Sequence, residues 1–247
     1  METIITDFYY LAQSGHPRPG GIPMIWIIVG ISMLASLWVS HMLKSRFQQF
    51  SQSPISQSGR EIAEMMLRQN GITDVKVIST PGQLTDHYNP ANKTVNLSES
   101  VYQQRNVAAA AVAAHECGHA VQHAQAYHWL GMRSKLVPIV GLSSKMMNVI
   151  LIMSIFGAYA TGNLTLLWLY VACLSMVTLF SFITLPVEFD ASKRALVWMQ
   201  GTGVMSSQYQ DQAKSALHWA AMTYVVAALA SLAQLLYYLS ILLGRRE

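Results

Sequence analysis

The residues Ala113-Ala114-His115-Glu116-Cys117-Gly118-His119-Ala120 hold one H-E-x-x-H pattern inside an alanine-rich run. On an α-helix, residues four apart stand one turn above each other on the same face. His115 and His119 can therefore aim two imidazoles at one metal ion, with Glu116 beside them. Zn²⁺ takes neutral imidazole nitrogen readily, and a catalytic zinc keeps one position open for a water whose pKa falls to about 7. A carboxylate next to that water can take its proton at neutral pH. Eight histidines occur in 247 residues, and with this composition one such pattern arises by chance on the order of one time in a hundred. The competing reading is a pair of hydrogen-bonded helix histidines. Cys117 points off the histidine face and reads as a small packing residue, not a ligand.

The elements that must position these residues are membrane elements. A chain that is 52% hydrophobic and 11% charged, with mean hydropathy +0.30, departs from the composition of a soluble enzyme. Two cysteines, Cys117 and Cys173, suggest no disulfide framework and favour a reducing compartment. The net charge of +4 does not point to nucleic acid, because the Lys and Arg residues are scattered or flank apolar runs.

Residues 1–21 read as a short N-terminal tail lacking the basic start and cleavage site of a signal peptide. Residues 22–43 carry no charge and are long enough to cross a hydrocarbon core of about 30 Å as a first transmembrane helix. Residues 48–58 read as a polar linker. Ser58-Gly59-Arg60-Glu61 has the form of a capping box, opening a helix that Asn70-Gly71 stops. A strand over 75–79 precedes a Pro81-Gly82 turn, and strands over 84–88 and 94–97 form a hairpin around Asn89-Pro90-Ala91-Asn92. An exposed edge of this β-unit can hold an extended peptide by main-chain hydrogen bonds. Ser98 and Ser100 are candidate caps for the next helix, which carries His115 and His119 and ends near Gln125. Its apolar part, 107–114, is too short to span a bilayer. Residues 44–135 are thus expected to form a domain outside the bilayer. His123 stands about 12 Å along the helix from His115, too far to share an ion. Gln122 and Gln125 occupy the places of the Gly and last His of the longer H-E-x-x-H-x-x-G-x-x-H motif. His123 and His128 therefore read as surface or supporting residues.

The runs 137–160 and 164–185, parted by Thr161-Gly162-Asn163, read as a transmembrane hairpin within 136–186, with Lys145 placing the membrane part of the first from about Met146. Glu188 follows directly. A hairpin that leaves and returns on one side brings Glu188 back to the side of His115 and His119, which makes it the natural third ligand. Residues 187–218 read as a second segment outside the bilayer, partly helical and polar over 196–216, and 219–247 as a fourth transmembrane helix with its tail. Thirteen of the sixteen Lys and Arg residues fall in 44–145 and 188–214, with Arg18, Arg245 and Arg246 opposite. The positive-inside rule then turns the metal residues to the cytoplasm.

The stretch His115-Glu116-Cys117-Gly118-His119-Ala120-Val121-Gln122-His123, together with Leu185-Pro186-Val187-Glu188-Phe189-Asp190-Ala191-Ser192-Lys193-Arg194-Ala195, resembles the bacterial neutral zinc metallopeptidase family called YugP. The wider arrangement is similar to HtpX-type membrane proteases. The resemblance covers roughly residues 56–196. It implies a gluzincin fold with zinc held by His115, His119 and Glu188, and with Glu116 as general base. HtpX-type proteins carry an Asp four residues after the ligand Glu, where this chain has Ser192. Asp190 is then the candidate carboxylate to take the ring N–H of a zinc-bound histidine.

The expectation is a mainly α membrane protein with four transmembrane helices and a small α+β gluzincin-type zinc peptidase domain. It would be an integral-membrane zinc endopeptidase of a bacterial inner membrane, with the lipid bilayer and polypeptide substrates as partners. His218, Tyr224 and Arg194 stand open as oxyanion donors. An intramembrane metalloprotease would need the motif inside a span and an Asp-Gly type ligand, which is absent. The alternative from another class is a non-hydrolytic zinc scaffold or transporter. A transporter would place ionisable ligands within several spans, and these spans are almost free of them.

Overall fold

The computed structural model describes residues 24–161 and 164–243. The expected N-terminal tail, the start of the first span, the Gly162-Asn163 turn and Arg18, Arg245 and Arg246 lie outside them. The elements in order are α1 (Met24–Phe50), α2 (Gly59–Gln69), β1 (Lys76–Thr80), β2 (His87–Asn89), β3 (Thr94–Ser98), α3 (Glu99–Tyr102), α4 (Val107–Ala124), α5 (His128–Thr161), α6 (Thr165–Thr202) and α7 (Ser207–Leu243). The fold is that of a mainly α membrane protein with a small three-stranded sheet. Its contacts divide into two units.

The first unit comprises residues 24–37, 133–161, 164–183 and 224–243. Four helices among the described residues are long and apolar enough to cross a membrane: Met24–Phe50, His128–Ser154, Thr165–Thr202 and Ser207–Leu243. A helix closes its backbone hydrogen bonds internally, so in lipid its apolar side chains can face outward. They do so here at Trp26, Leu142 and Leu229. Leu174, Val171, Ile150 and Leu242 pack inside, and Tyr170 meets Tyr238 edge to face at 4.9 Å.

The second unit comprises residues 38–132 and 184–223. The capping box of α2 is formed: Glu61 N–H donates to Ser58 Oγ at 3.3 Å, and Ser58 N–H donates to Glu61 Oε2 at 2.7 Å. α2 buries Ile62, Ala63, Met66 and Leu67, and Gly71, at φ 70°, takes the left-handed turn that follows the helix. The sheet order is β1-β3-β2. β1 pairs with β3 in parallel, while β2 and β3 form the expected antiparallel pair, with Tyr88 opposite Val95. Both β1 and β2 are thus edge strands. α4 runs through the core, with Ala108 to Ala111, Ala113, Ala114, Cys117 and Ala120 all buried. Small side chains let neighbours approach its backbone from several sides.

Two expectations about local structure are corrected, the cap of α4 and the start of the linker. The cap of α4 is Asn106, whose Oδ1 accepts Ala109 N–H at 2.9 Å. Ser98 gives both its N–H and its hydroxyl to Asp86 and makes no cap bond at the short α3. Within the expected linker over 48–58, α1 continues to Phe50 because Phe50 is buried in the core. The segment over 196–216 is mostly regular helix. α6 runs through Pro186 to Thr202, and Gly203, at φ 62°, begins the short break before α7. Ala195, Met199, Ala213, Ala216 and Leu217 belong to the same core as α2 and α4, which supplies the apolar burial that holds these helix ends.

Candidate metal centre

α4 presents His115 and His119 one turn apart, with ring centroids 4.9 Å apart and planes nearly perpendicular. α6 supplies Glu188, whose Oε2 lies 3.2 Å from His115 Nε2 and 3.7 Å from His119 Nε2. One ligand atom from each of the three residues lies within 4.8 Å of the others, so the group can hold a metal ion. Donors about 2.0–2.2 Å from a tetrahedral zinc stand about 3.3–3.6 Å from one another. The two separations from Glu188, 3.2 and 3.7 Å, lie close to that span, and two imidazoles with one carboxylate are a known catalytic zinc donor set. The residues therefore fit the ion.

The centre is dry. Glu188 is 2% and His119 6% exposed. Burial alone would depress the His119 pKa. The hydrogen bond that the ring donates to Glu188 and the charges of Glu116 and Glu188 outweigh it, and the metal-free ring is held above its ordinary 6.5. Burial pushes the Cys117 thiol well up, and its Sγ lies 3.6 Å from Ala63 O. This is the packing role expected of it.

The rings are held from behind. His115 Nδ1 lies 3.1 Å from Ser192 Oγ, and His119 Nδ1 lies 3.0 Å from Gln122 Oε1. Gln122 Nε2 donates to Val187 O and to Asp190 Oδ2, each at 2.8 Å. Asp190 also accepts from Arg194 Nε, and Arg194 reaches Gln125 Oε1 at 2.6 Å. The expected direct contact of Asp190 with a ligand histidine is corrected: its carboxylate faces Arg194 and reaches His119 through Gln122. Ser192 is the residue that meets His115. Gln122 was visible in the sequence only as a misfit to a longer motif. Its signal is a long polar side chain three residues after His119, on one helix face, in a run of small residues.

Glu116 is 9% exposed, and its Oε2 accepts the backbone N–H of Tyr88 at 3.0 Å. That N–H is turned away from β3, so the outer edge of β2 borders the carboxylate. Gly118 packs on α6 so closely that a Cβ there would lie 2.6 Å from Ala191 O. Only glycine permits this crossing. His123 joins the Tyr88 hydroxyl at 2.7 Å and is not part of the three-residue metal group, while His128 lies against Trp129. Of the candidate oxyanion donors, Arg194 is engaged as described, His218 lies edge-on to Trp219, and Tyr224 belongs to the first unit.

A His-His-Glu group that could hold a metal ion, two of its members on an H-E-x-x-H helix, in a chain with four helices long and apolar enough to cross a membrane, is the arrangement expected of a membrane metallopeptidase. Residues 25–243 match the family described as "Putative neutral zinc metallopeptidase", and the chain belongs to that family. It is 38% identical over 227 residues, covering 91% of this chain and 99% of the relative, to "Putative membrane protease YugP" of Bacillus subtilis (strain 168). No solved structure matches.

Proposed function

We propose that this protein is an integral-membrane zinc endopeptidase of the gluzincin type, with His115, His119 and Glu188 as the zinc ligands and Glu116 as general base. The observation that supports this best is the approach of Glu188 Oε2 to both Nε2 atoms, 3.2 and 3.7 Å away, beside the carboxylate of Glu116. A bound zinc supplies Lewis acidity toward a scissile carbonyl and makes water acidic enough to attack near neutral pH. Glu116 takes the proton of the attacking water and returns it to the leaving amine. Tyr88 N–H holds one oxygen of that carboxylate in place. The small sheet ends in edge strands, and an edge strand can take an extended polypeptide as an added strand, which favours unfolded or unstructured chain as substrate. The Lys and Arg distribution, with Lys44, Arg46, Arg133, Lys135, Lys145, Lys193 and Arg194 near span ends, supports a centre facing the cytoplasm of a bacterial cell.

The test is Glu116→Gln. This change keeps size and removes proton-accepting power. Zinc content should stay at the wild-type level while cleavage of a denatured protein falls by about 10² to 10⁴, the scale of a lost general base. Equal cleavage by both proteins removes Glu116 from the mechanism. Zinc bound without cleavage by the wild type, across varied substrates, favours the scaffold.

A further inference from the structure

The amide of Gln122 is fully buried, and its orientation follows from its partners. Val187 O is a carbonyl that can only accept, and Asp190 is a carboxylate facing the Arg194 guanidinium. Both must therefore meet the NH₂ side of the amide. Oε1 is then left for His119 Nδ1, 3.0 Å away, and an acceptor at that place requires Nδ1 to carry hydrogen. A neutral imidazole with hydrogen on Nδ1 has its lone pair on Nε2. That is the atom facing Glu188.

We propose that Gln122, clamped by Val187 and Asp190, is a positioning residue that fixes His119 as the Nδ1–H tautomer and so presents Nε2 to the metal. The inference rests on the metal assignment above. His115 has no such lock, because the Ser192 hydroxyl opposite its Nδ1 both donates and accepts. The two histidines of one motif are thus held unequally. Val187 and Asp190 flank Glu188 within one turn of α6, so that turn delivers the third ligand and the tautomer clamp together. The glycine crossing at Gly118 and Ala191 brings that turn close enough to do both.

The experiment uses the full chain in detergent. Zinc affinity is measured by competition with a chromophoric chelator, and histidine tautomers are read by ¹⁵N NMR of the zinc-free and zinc-loaded protein. Gln122→Met keeps length and apolar packing while removing the acceptor. It should weaken zinc binding by about 10- to 100-fold and convert the His119 ¹⁵N pattern from Nδ1–H to a mixture. Asp190→Ala, which removes one of the two amide anchors, should give a smaller loss in the same direction. Cys117→Ala perturbs the same buried helix without touching the clamp and should leave zinc affinity unchanged. Wild-type affinity with an unchanged His119 pattern in Gln122→Met overturns the proposal. So does an equal loss in Cys117→Ala, which would mark a general loosening of α4. If Gln122→Met does not fold, unchanged affinity and ¹⁵N pattern in Asp190→Ala overturns it. A wild type that takes up no zinc overturns the metal assignment and this inference with it. Zinc bound equally by wild type and folded Gln122→Met overturns the inference alone.

Discussion

Gly118→Ala adds one carbon at the tightest point between α4 and α6. The new Cβ would stand 2.6 Å from Ala191 O and 3.1 Å from Ala191 C and Cα, where ordinary contact begins at 3.4 Å. All three atoms are backbone, so no side chain can swing aside, and the helices must part by about 0.8 Å at the crossing. The Gln122 bonds to Val187 and Asp190, now 2.8 Å, would lengthen toward about 3.6 Å, where a hydrogen bond is lost. Zinc sites hold their ligand distances within about 0.2 Å, so Glu188 would also leave its place relative to the two rings. Overpacking of this kind costs about 1–3 kcal/mol, and zinc affinity should fall at least about tenfold. Thermal unfolding in detergent and chelator competition measure the two effects. Gly131→Ala is the control: a Cβ there meets nothing within 4 Å, and replacing a helix-interior glycine should stabilise by about 0.5–1 kcal/mol without changing zinc binding. A Gly118→Ala protein with wild-type midpoint and wild-type zinc affinity would refute the reasoning, because the close crossing could then not be what seats the ligands.

Glu188→Gln should lower zinc occupancy strongly, since the amide replaces the only carboxylate in the His-His-Glu group; full occupancy, or His123 found on the metal, sinks the assignment. Cysteines placed at Ser53 and Ser207 should resist a membrane-impermeant reagent in intact cells, and labelling of either refutes the proposed four-span orientation. The raised His119 pKa predicts a pH dependence in chelator-treated protein. A folded pKa above the unfolded value of about 6.5 gives stability that is complete below that value and lost as pH rises through the folded pKa. Chelated protein should melt at lower temperature at pH 8.5 than at pH 6, whereas zinc-loaded protein, whose ring cannot take up the proton, should not show that fall; a flat profile for chelated protein contradicts the burial and pairing described for His119.

The parts of this protein that could be read from its sequence are those that depend on short spacing. His115 and His119 share a face because four residues make about one helical turn. The capping box at Ser58 and Glu61 needs only a spacing of three positions between its partners. The apolar runs announce helices long enough for a bilayer by length alone. The start of α4 was misplaced because Ser98 looks like a cap until Asp86, twelve residues away, takes its hydroxyl. The support of the metal centre depends on the packing of α6 against α4. Ser192 stands 77 residues from His115, and Gln122 stands 65 from Val187. No local periodicity encodes those pairings. They exist because Gly118 has no side chain to keep the two backbones apart, and because buried hydrogen-bonding groups, once the helices close, must find partners among whatever lies opposite.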